Sequence, residues 1–166
     1  TDSDIGGFSL NYHKHIHTGE GGILVTDNKK LAQRMQLIRN HAEAVVGNMK
    51  IKDISNMIGH NFRLGEIEAS IGIQQLKKLN KLVLKRQVTT KLLDQGLKGL
   101  IGLEIPHIQK GNTHVYYMYP LLIKKEILGI SRDKIYEALK REGVPGLVKS
   151  YANLHLLPMY QEKIAY

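Results

Sequence analysis

Cysteine is absent from the 166 residues, which excludes disulfides, thiolate metal sites and a cysteine nucleophile. That usage fits a cytoplasmic protein, and we expect that location. Tryptophan is also absent, aromatic residues make up only 6%, and no aromatic ladder of the kind that stacks bases is present. No apolar run approaches the length of a membrane span. The start, Thr1-Asp2-Ser3-Asp4, is acidic and polar, and no apolar stretch of signal-peptide type follows it. Neither a membrane partner nor secretion is therefore expected. Acidic residues are scarce, 15 against 24 lysines and arginines, for a formal charge of +9. A basic domain can bind nucleic acid or an acidic partner, so a basic binding module stands as an alternative function. Yet the lysines are spread through stretches such as KKLNKLVLKR and IKKEILGISRDK, without an arginine-rich arm. A solvated basic surface is the commoner reading. An acidic counterpart lying outside these residues would also explain the imbalance.

What the sequence does hold is a hydrophobic content of 42%, enough for a core and too much for a disordered chain. The length fits one domain or two small ones. Residues 4–9, DIGGFS, and 23–26, ILVT, predict two short strands able to pair as a hairpin around a long polar loop. Asp27 is placed to cap a helix over 28–40, with Leu31, Met35 and Ile38 at helical spacing. Residues 41–60 lack a period and predict an irregular connection. From Leu64 a helix follows with Ile67, Ala69, Ile71, Ile73, Leu76 and Leu79 as a broad apolar face, and Gly72 marks a close approach to another element. A basic helical stretch continues to about Leu97. Beyond it, Tyr116–Ile123 predicts a strand, Ser131 caps a helix over 132–142 that Gly143 ends, and 144–148 predicts a turn into another strand. Strand, helix, strand is a small α/β unit.

The chemistry concentrates in residues 9–22, SLNYHKHIHTGEGG. A lysine becomes a nucleophile when its neutral form is populated, through desolvation or neighbouring positive charge. Lys14, between His13 and His15, is a candidate; a surface lysine in a charged loop is the plainer reading. His13, His15 and His17 alternate, so an extended segment would put all three on one side, and imidazoles so spaced can bind zinc or copper. No carboxylate or fourth histidine is obviously placed to complete such a site, although Glu20 is near. Histidines of a polar loop are commoner. Thr18-Gly19-Glu20-Gly21-Gly22 is neither a GxxxxGK[ST] nor a GxGxxG phosphate loop; it lets the backbone approach a ligand closely.

Taken together, DIGGFS and KHIHTGEGG resemble the active-site segment of the DegT/DnrJ/EryC1/StrS family of pyridoxal-phosphate (PLP)-dependent sugar aminotransferases. The family pattern is a DIG-x-FS strand, a lysine five residues after its serine, and a TGEGG-like turn, and Ser9 and Lys14 have that separation. Ile38-Arg39-Asn40-His41 resembles the family's R-N-H, and Gly59–Ala69 its G-x-N-x-R-x-x-E-x-x-A segment. Gly143–Tyr160, with Leu154-His155-Leu156-Leu157-Pro158, resembles its C-terminal ending. Nearly the whole chain is covered.

The resemblance implies an α/β chain that is a fragment of a fold-type I PLP-dependent transferase. Residues 1–80 would be the C-terminal part of the large PLP-binding domain, and 81–166 a small, incomplete C-terminal α/β domain. It implies that Lys14 bonds the cofactor and then shuttles the proton of the reaction, and that Ser9 hydrogen-bonds the cofactor phosphate. Asn61 would reach the phosphate in the partner subunit of a homodimer. Arg63, His15 and Glu20 would face the substrate, a keto sugar nucleotide that receives its amino group from an amino acid, glutamate by family expectation. Asn11, His15 and His17 stand where the family commonly has histidine, asparagine, and threonine or serine. A branch that replaces the lysine with histidine performs dehydration, and Lys14 argues against it. Family members are longer, and their N-terminal half carries the aspartate that pairs with the pyridine nitrogen. The isolated chain is therefore expected to be inactive, to bind PLP poorly and to expose surface that the other half covers.

Overall fold

The computed structural model describes residues 3–42, 57–149 and 151–164. Most of the irregular connection expected at 41–60 lies outside them. Two compact units are present. The first comprises residues 1–90 with 113–118, the second 91–112 with 119–166.

In the first unit, β1 (Gly6–Ser9) and β2 (Gly22–Val25) form the expected antiparallel hairpin, with Gly6 opposite Val25 and Ser9 opposite Gly22. Phe8 and Leu24 are both 60% exposed. A two-stranded ribbon carrying apolar residues without cover is marginal by itself and has the pattern of strands from a larger sheet. Helix α1 (Lys29–Arg39) follows. Its cap is Asn28 rather than Asp27: the Asn28 Oδ1 accepts the backbone N–H groups of Lys30 (2.9 Å) and Leu31 (3.3 Å). From one residue earlier a carboxylate does not hold that cap position, because the extended residue just before the first turn is Asn28. The last turn of α1 ends at Asn40, and His41 and Ala42 both take left-handed φ values, near 59° and 58°. This lets the Ala42 N–H return to the Leu37 carbonyl at 2.8 Å.

Helices α2 (Glu66–Leu76) and α3 (Leu79–Leu97) occupy the predicted stretches. Gly72 marks a close approach as expected, since a Cβ there would lie 3.2 Å from the Thr18 Cγ2. The apolar face expected of α2 does not form as one stripe: at helical spacing Ile67 and Ile71 fall opposite Ala69, Ile73 and Leu76, and no residue of that helix is buried. The buried hydrophobic side chains of the described residues are Leu10, Leu37, Ala42 and Tyr116, joined by Thr18 and Thr90. All belong to the first unit, and Leu10 and Thr18 bracket the lysine loop.

The second unit holds β3 (Leu103–Glu104) paired antiparallel with β4 (Leu122–Ile123), then α4 (Lys125–Leu128), α5 (Arg132–Arg141), a short 3-10 turn at Leu154–Leu156 and α6 (Pro158–Gln161). Ion pairing of Lys124 with Glu104 flanks the small ladder and raises the lysine's pKa through their hydrogen bond. The strand expected over Tyr116–Ile123 shrinks to its last two residues. Tyr116 is left-handed, at φ 51°, and Pro120 has no N–H to give a ladder. No strand follows Gly143 among the described residues either, so the order is strand, strand, helix, helix. Around α5 the local expectations hold. The Ser131 Oγ accepts the Lys134 N–H, and Gly143, at φ 79°, turns the chain so that the N–H groups of Gly143 and Val144 return to the carbonyls of Lys140 and Leu139.

Lys149 sits 3.2 Å from the Asp133 carboxylate in this unit. That hydrogen bond lowers the Asp133 pKa, with help from Arg132. The stabilisation is present above the unfolded-state pKa of Asp133 and is lost as pH falls through the lowered native value. Titration of the carboxyl carbon by NMR should place Asp133 below an ordinary aspartate, and Lys149→Ala should move it back up.

Candidate active site

Ser9 ends β1, and its hydroxyl closes a tight turn: the Oγ accepts the Asn11 backbone N–H at 3.2 Å. The Asn11 side chain is used twice. Its Oδ1 accepts the His13 N–H at 3.1 Å, and its Nδ2 donates to the Glu20 carboxylate at 2.7 Å. The Asn11 carbonyl accepts the Lys14 N–H at 2.9 Å. Residues 9–14 therefore fold as consecutive turns, a natural use of Ser and Asn side chains that mimic backbone. The loop is closed at its base by Leu10, whose N–H donates to the Gly21 carbonyl (2.9 Å) and whose carbonyl accepts the Thr18 N–H (3.0 Å). Gly21, at φ 157°, leaves no room for a side chain: a Cβ would lie 2.8 Å from the Thr18 Oγ1 and 3.0 Å from the Leu64 Cδ1. The glycine turn thus permits close packing of the loop base against the segment that leads into α2.

Because 11–16 is turned rather than extended, the three histidines do not share a face. His13 lies against the Tyr12 ring, centroid to centroid 3.8 Å. His15 places its Nε2 2.9 Å from the Val115 carbonyl. His17 accepts the Gly19 N–H at its Nδ1, 3.4 Å away. Among the described residues, no group of three potential ligands is gathered for a metal ion. The metal reading fails on this geometry, since alternate positions meet only on a strand.

Lys14 is half-buried, and its Nζ stands 4.4 Å from the centre of the Tyr117 ring. Sequence reasoning did not find Tyr117. It is 103 positions from Lys14, read as a strand residue, and no spacing rule links the two.

The other two motifs meet each other. The His41 N–H donates to the His60 carbonyl (3.0 Å), the His60 N–H to Ile38 (2.7 Å) and the Phe62 N–H to Arg39 (2.9 Å). Asn40 and Asn61 form an antiparallel bridge. Arg63 donates through Nη1 to the Asn40 Oδ1 at 2.5 Å. So R-N-H and G-H-N-F-R are two sides of one backbone pairing. Asn61 and Arg63 are exposed, as are Ser9 and Glu20. Hydrogen bonds to Asn11 thus tie Ser9, Lys14 and Glu20 together on one loop, His15 of the same loop reaches out to Val115, and Asn61 and Arg63 lie on a separate pairing at the end of α1.

Comparison with known proteins agrees with these motifs. An uncharacterised protein of Methanocaldococcus jannaschii is 33% identical over 172 residues, covering 100% of this chain and 44% of its own length. The UDP-4-amino-4,6-dideoxy-N-acetyl-beta-L-altrosamine transaminase of Helicobacter pylori is 31% identical, over 96% of this chain and 42% of its own. Among solved structures, Helicobacter pylori PseC, an aminotransferase involved in the biosynthesis of pseudoaminic acid, superposes with a TM-score of 0.77 at 30% identity. It covers 98% of this chain and 43% of its own. The chain thus spans less than half the length of the relatives it matches, and it is similar in fold to PLP-dependent aminotransferases. The DegT/DnrJ/EryC1/StrS aminotransferase profile matches residues 1–166, and the chain belongs to that family.

Proposed function

We propose that this chain supplies the lysine-bearing part of a PLP-dependent aminotransferase that moves an amino group from an amino acid, glutamate in our reading, to a keto sugar nucleotide. The observation that carries it is the loop of residues 9–21. A half-buried Lys14 is held between a serine at a strand end and a glycine turn, with its amine drawn onto an aromatic ring rather than left in solvent. The residues present suit the cofactor. With its oxygen already accepting the Asn11 N–H, the Ser9 hydroxyl keeps its own O–H to donate, which fits a phosphate oxygen. When bound, PLP supplies the electron sink for the pair left on carbon after proton removal.

The chain's own residues then have separate tasks. Lys14 anchors the cofactor, and its free amine takes and returns the substrate proton. Asn11 and Glu20 brace the loop through their 2.7 Å hydrogen bond, which keeps Ser9 and Lys14 at a fixed separation. His15 donates its Nε2 proton to the Val115 carbonyl, which can only accept, and this fixes the ring beside Lys14, facing substrate. Asn61 and Arg63, held on the pairing with α1, serve the site of a second subunit in a homodimer. Residues 1–80 belong to the large domain and 81–166 to the small one. A keto sugar nucleotide is favoured by the Helicobacter pylori transaminase, whose name records a UDP-linked amino sugar. The lysine favours amino transfer over dehydration, although a GDP-4-keto-6-deoxy-D-mannose-3-dehydratase of E. coli shares the fold at 27% identity and TM-score 0.72. No helix among the described residues is long and apolar enough to cross a membrane, and a cytoplasmic site of action fits biosynthesis from nucleotide sugars.

Borohydride reduction in the presence of PLP tests the reading directly. In the full-length enzyme that carries this chain, peptide mass spectrometry should find the pyridoxyl-phosphate group on Lys14. A label spread over surface lysines, or confined to another lysine, would overturn it.

A further inference from the structure

We propose that Tyr117 is a positioning residue for Lys14: its ring face receives the lysine ammonium whenever that amine is free, and a strap of residues 113–118 holds the ring in place. The functional consequence rests on the reading of Lys14 as the cofactor lysine, whereas the contact itself does not.

Three successive carbonyls of this strap are satisfied by side chains rather than by a strand ladder. The His114 carbonyl accepts from Gln87 Nε2 at 3.1 Å, the Val115 carbonyl from His15 Nε2 at 2.9 Å, and the Tyr116 carbonyl from Arg86 Nη1 at 3.0 Å. Two of these donors come from α3 and the third is the neighbour of Lys14 itself. The strap is further folded by the Tyr116 N–H, which donates to the His114 Nδ1 at 2.8 Å. Tyr116 is buried and left-handed. A bulky residue keeps such a conformation only where its surroundings over-determine it, and these bonds do so. The strap belongs to the same compact unit as the lysine loop, while the chain before and after it belongs to the other. A segment drawn out of its neighbours' unit and fixed at three carbonyls serves to present what it carries.

What it carries is the Tyr117 ring, 4.4 Å from the Lys14 Nζ, with the His15 ring tilted beside it at 6.2 Å. An ammonium at this distance is attracted by the ring's quadrupole. The lysine stem would otherwise sample many rotamers, and an amine that must both bond a cofactor and carry a proton is useful only while it stays in the site. The ring restricts it without a carboxylate, whose charge would bind the ammonium more tightly.

The test uses the 166-residue chain. NMR of the lysine side chains should show Lys14 Hε protons shifted upfield by the ring current. Tyr117→Phe should keep that shift and Tyr117→Leu should remove it. Acetylation should run about two- to fivefold slower at Lys14 than at exposed Lys98 in the wild type and in Y117F, the ratio expected for a contact of this kind, and the ratio should approach one in Y117L. An unshifted Lys14 in the wild type overturns the proposal, as does equal behaviour of Y117F and Y117L. Should Y117L not fold, the wild-type shift and its retention in Y117F decide. PLP trapping on Lys14 in the full-length enzyme that carries this chain, set beside the same lysine NMR on that enzyme before PLP is added, separates the two readings. Trapping without a ring-current shift sinks the role of Tyr117, and a shift without trapping sinks the catalytic reading and leaves the contact standing.

Discussion

Replacing Lys14 with arginine is expected to lower amino transfer by the full-length enzyme that carries this chain roughly 10²–10⁴-fold from the lost proton transfer alone, and further if the cofactor loses the anchor proposed for it. Arginine is the informative substitution. It keeps a positive charge and stacks on aromatic faces at least as well as lysine, so the contact with the Tyr117 ring 4.4 Å away is preserved. Yet a guanidinium does not give up its proton at neutral pH and cannot act as a base. If the lysine served only as a charge, Lys14→Arg would retain most activity. If it moves a proton, Lys14→Arg and Lys14→Ala fall together. The measurement is the transfer of an amino group from glutamate to a keto sugar nucleotide, followed by mass of the product. Retention of more than a tenth of the wild-type rate by the arginine variant removes Lys14 from its proposed role. Ser9→Ala should act differently: cofactor affinity falls while the loaded enzyme turns over at a similar rate, because the proposed partner of the hydroxyl is the phosphate, a part of the cofactor that does not react.

What was legible in the sequence was local. The hairpin follows from two short apolar runs and a glycine turn between them, and α5 from a serine at one end and a glycine at the other; both formed where expected. Those elements depend on residues within a few positions of each other. The misreadings share the opposite cause. Tyr116–Ile123 looks like a strand by composition, but its carbonyls at 114–116 are taken by Gln87, His15 and Arg86, partners that no periodicity announces. The alternation of His13, His15 and His17 pointed to a shared face only on the assumption of a strand, and the Asn11 side chain folds that stretch into turns instead. The cap of α1 moved by one residue because Asn28, not Asp27, is extended at the helix start. The family motifs were readable as strings, whereas their mutual pairing through Asn40 and Asn61 was not. The single apolar face expected of α2 was a misreading of composition as periodicity: its apolar residues fall all round the helix, and Ile67 remains 74% exposed.

That pairing makes Gly59 the position where a single methyl group is expected to do most damage to the fold. A Cβ built on Gly59 would overlap the backbone nitrogen of Ala42 and the carbonyl carbon of His41. Both are fixed. Ala42 returns its N–H to Leu37 and His41 donates to His60, so neither yields as a flexible side-chain tip would. Gly59→Ala must therefore push the 59–62 segment off the end of α1, breaking the His60–Ile38 and Phe62–Arg39 bonds and the Arg63–Asn40 contact together. Overpacking against backbone of this kind costs about 2–3 kcal/mol, or roughly 5–10 °C in Tm for a chain of this length. Gly96→Ala is the matched control. It lies within α3 with nothing within 4 Å of its added Cβ, so alanine there should stabilise by about 0.4–1 kcal/mol through the unfolded chain. Thermal unfolding followed by circular dichroism should thus move in opposite directions for two chemically identical substitutions. A Gly59→Ala protein that melts with the wild type would mean that the two motifs are not joined as described, and the placement of Asn61 and Arg63 would fall with them.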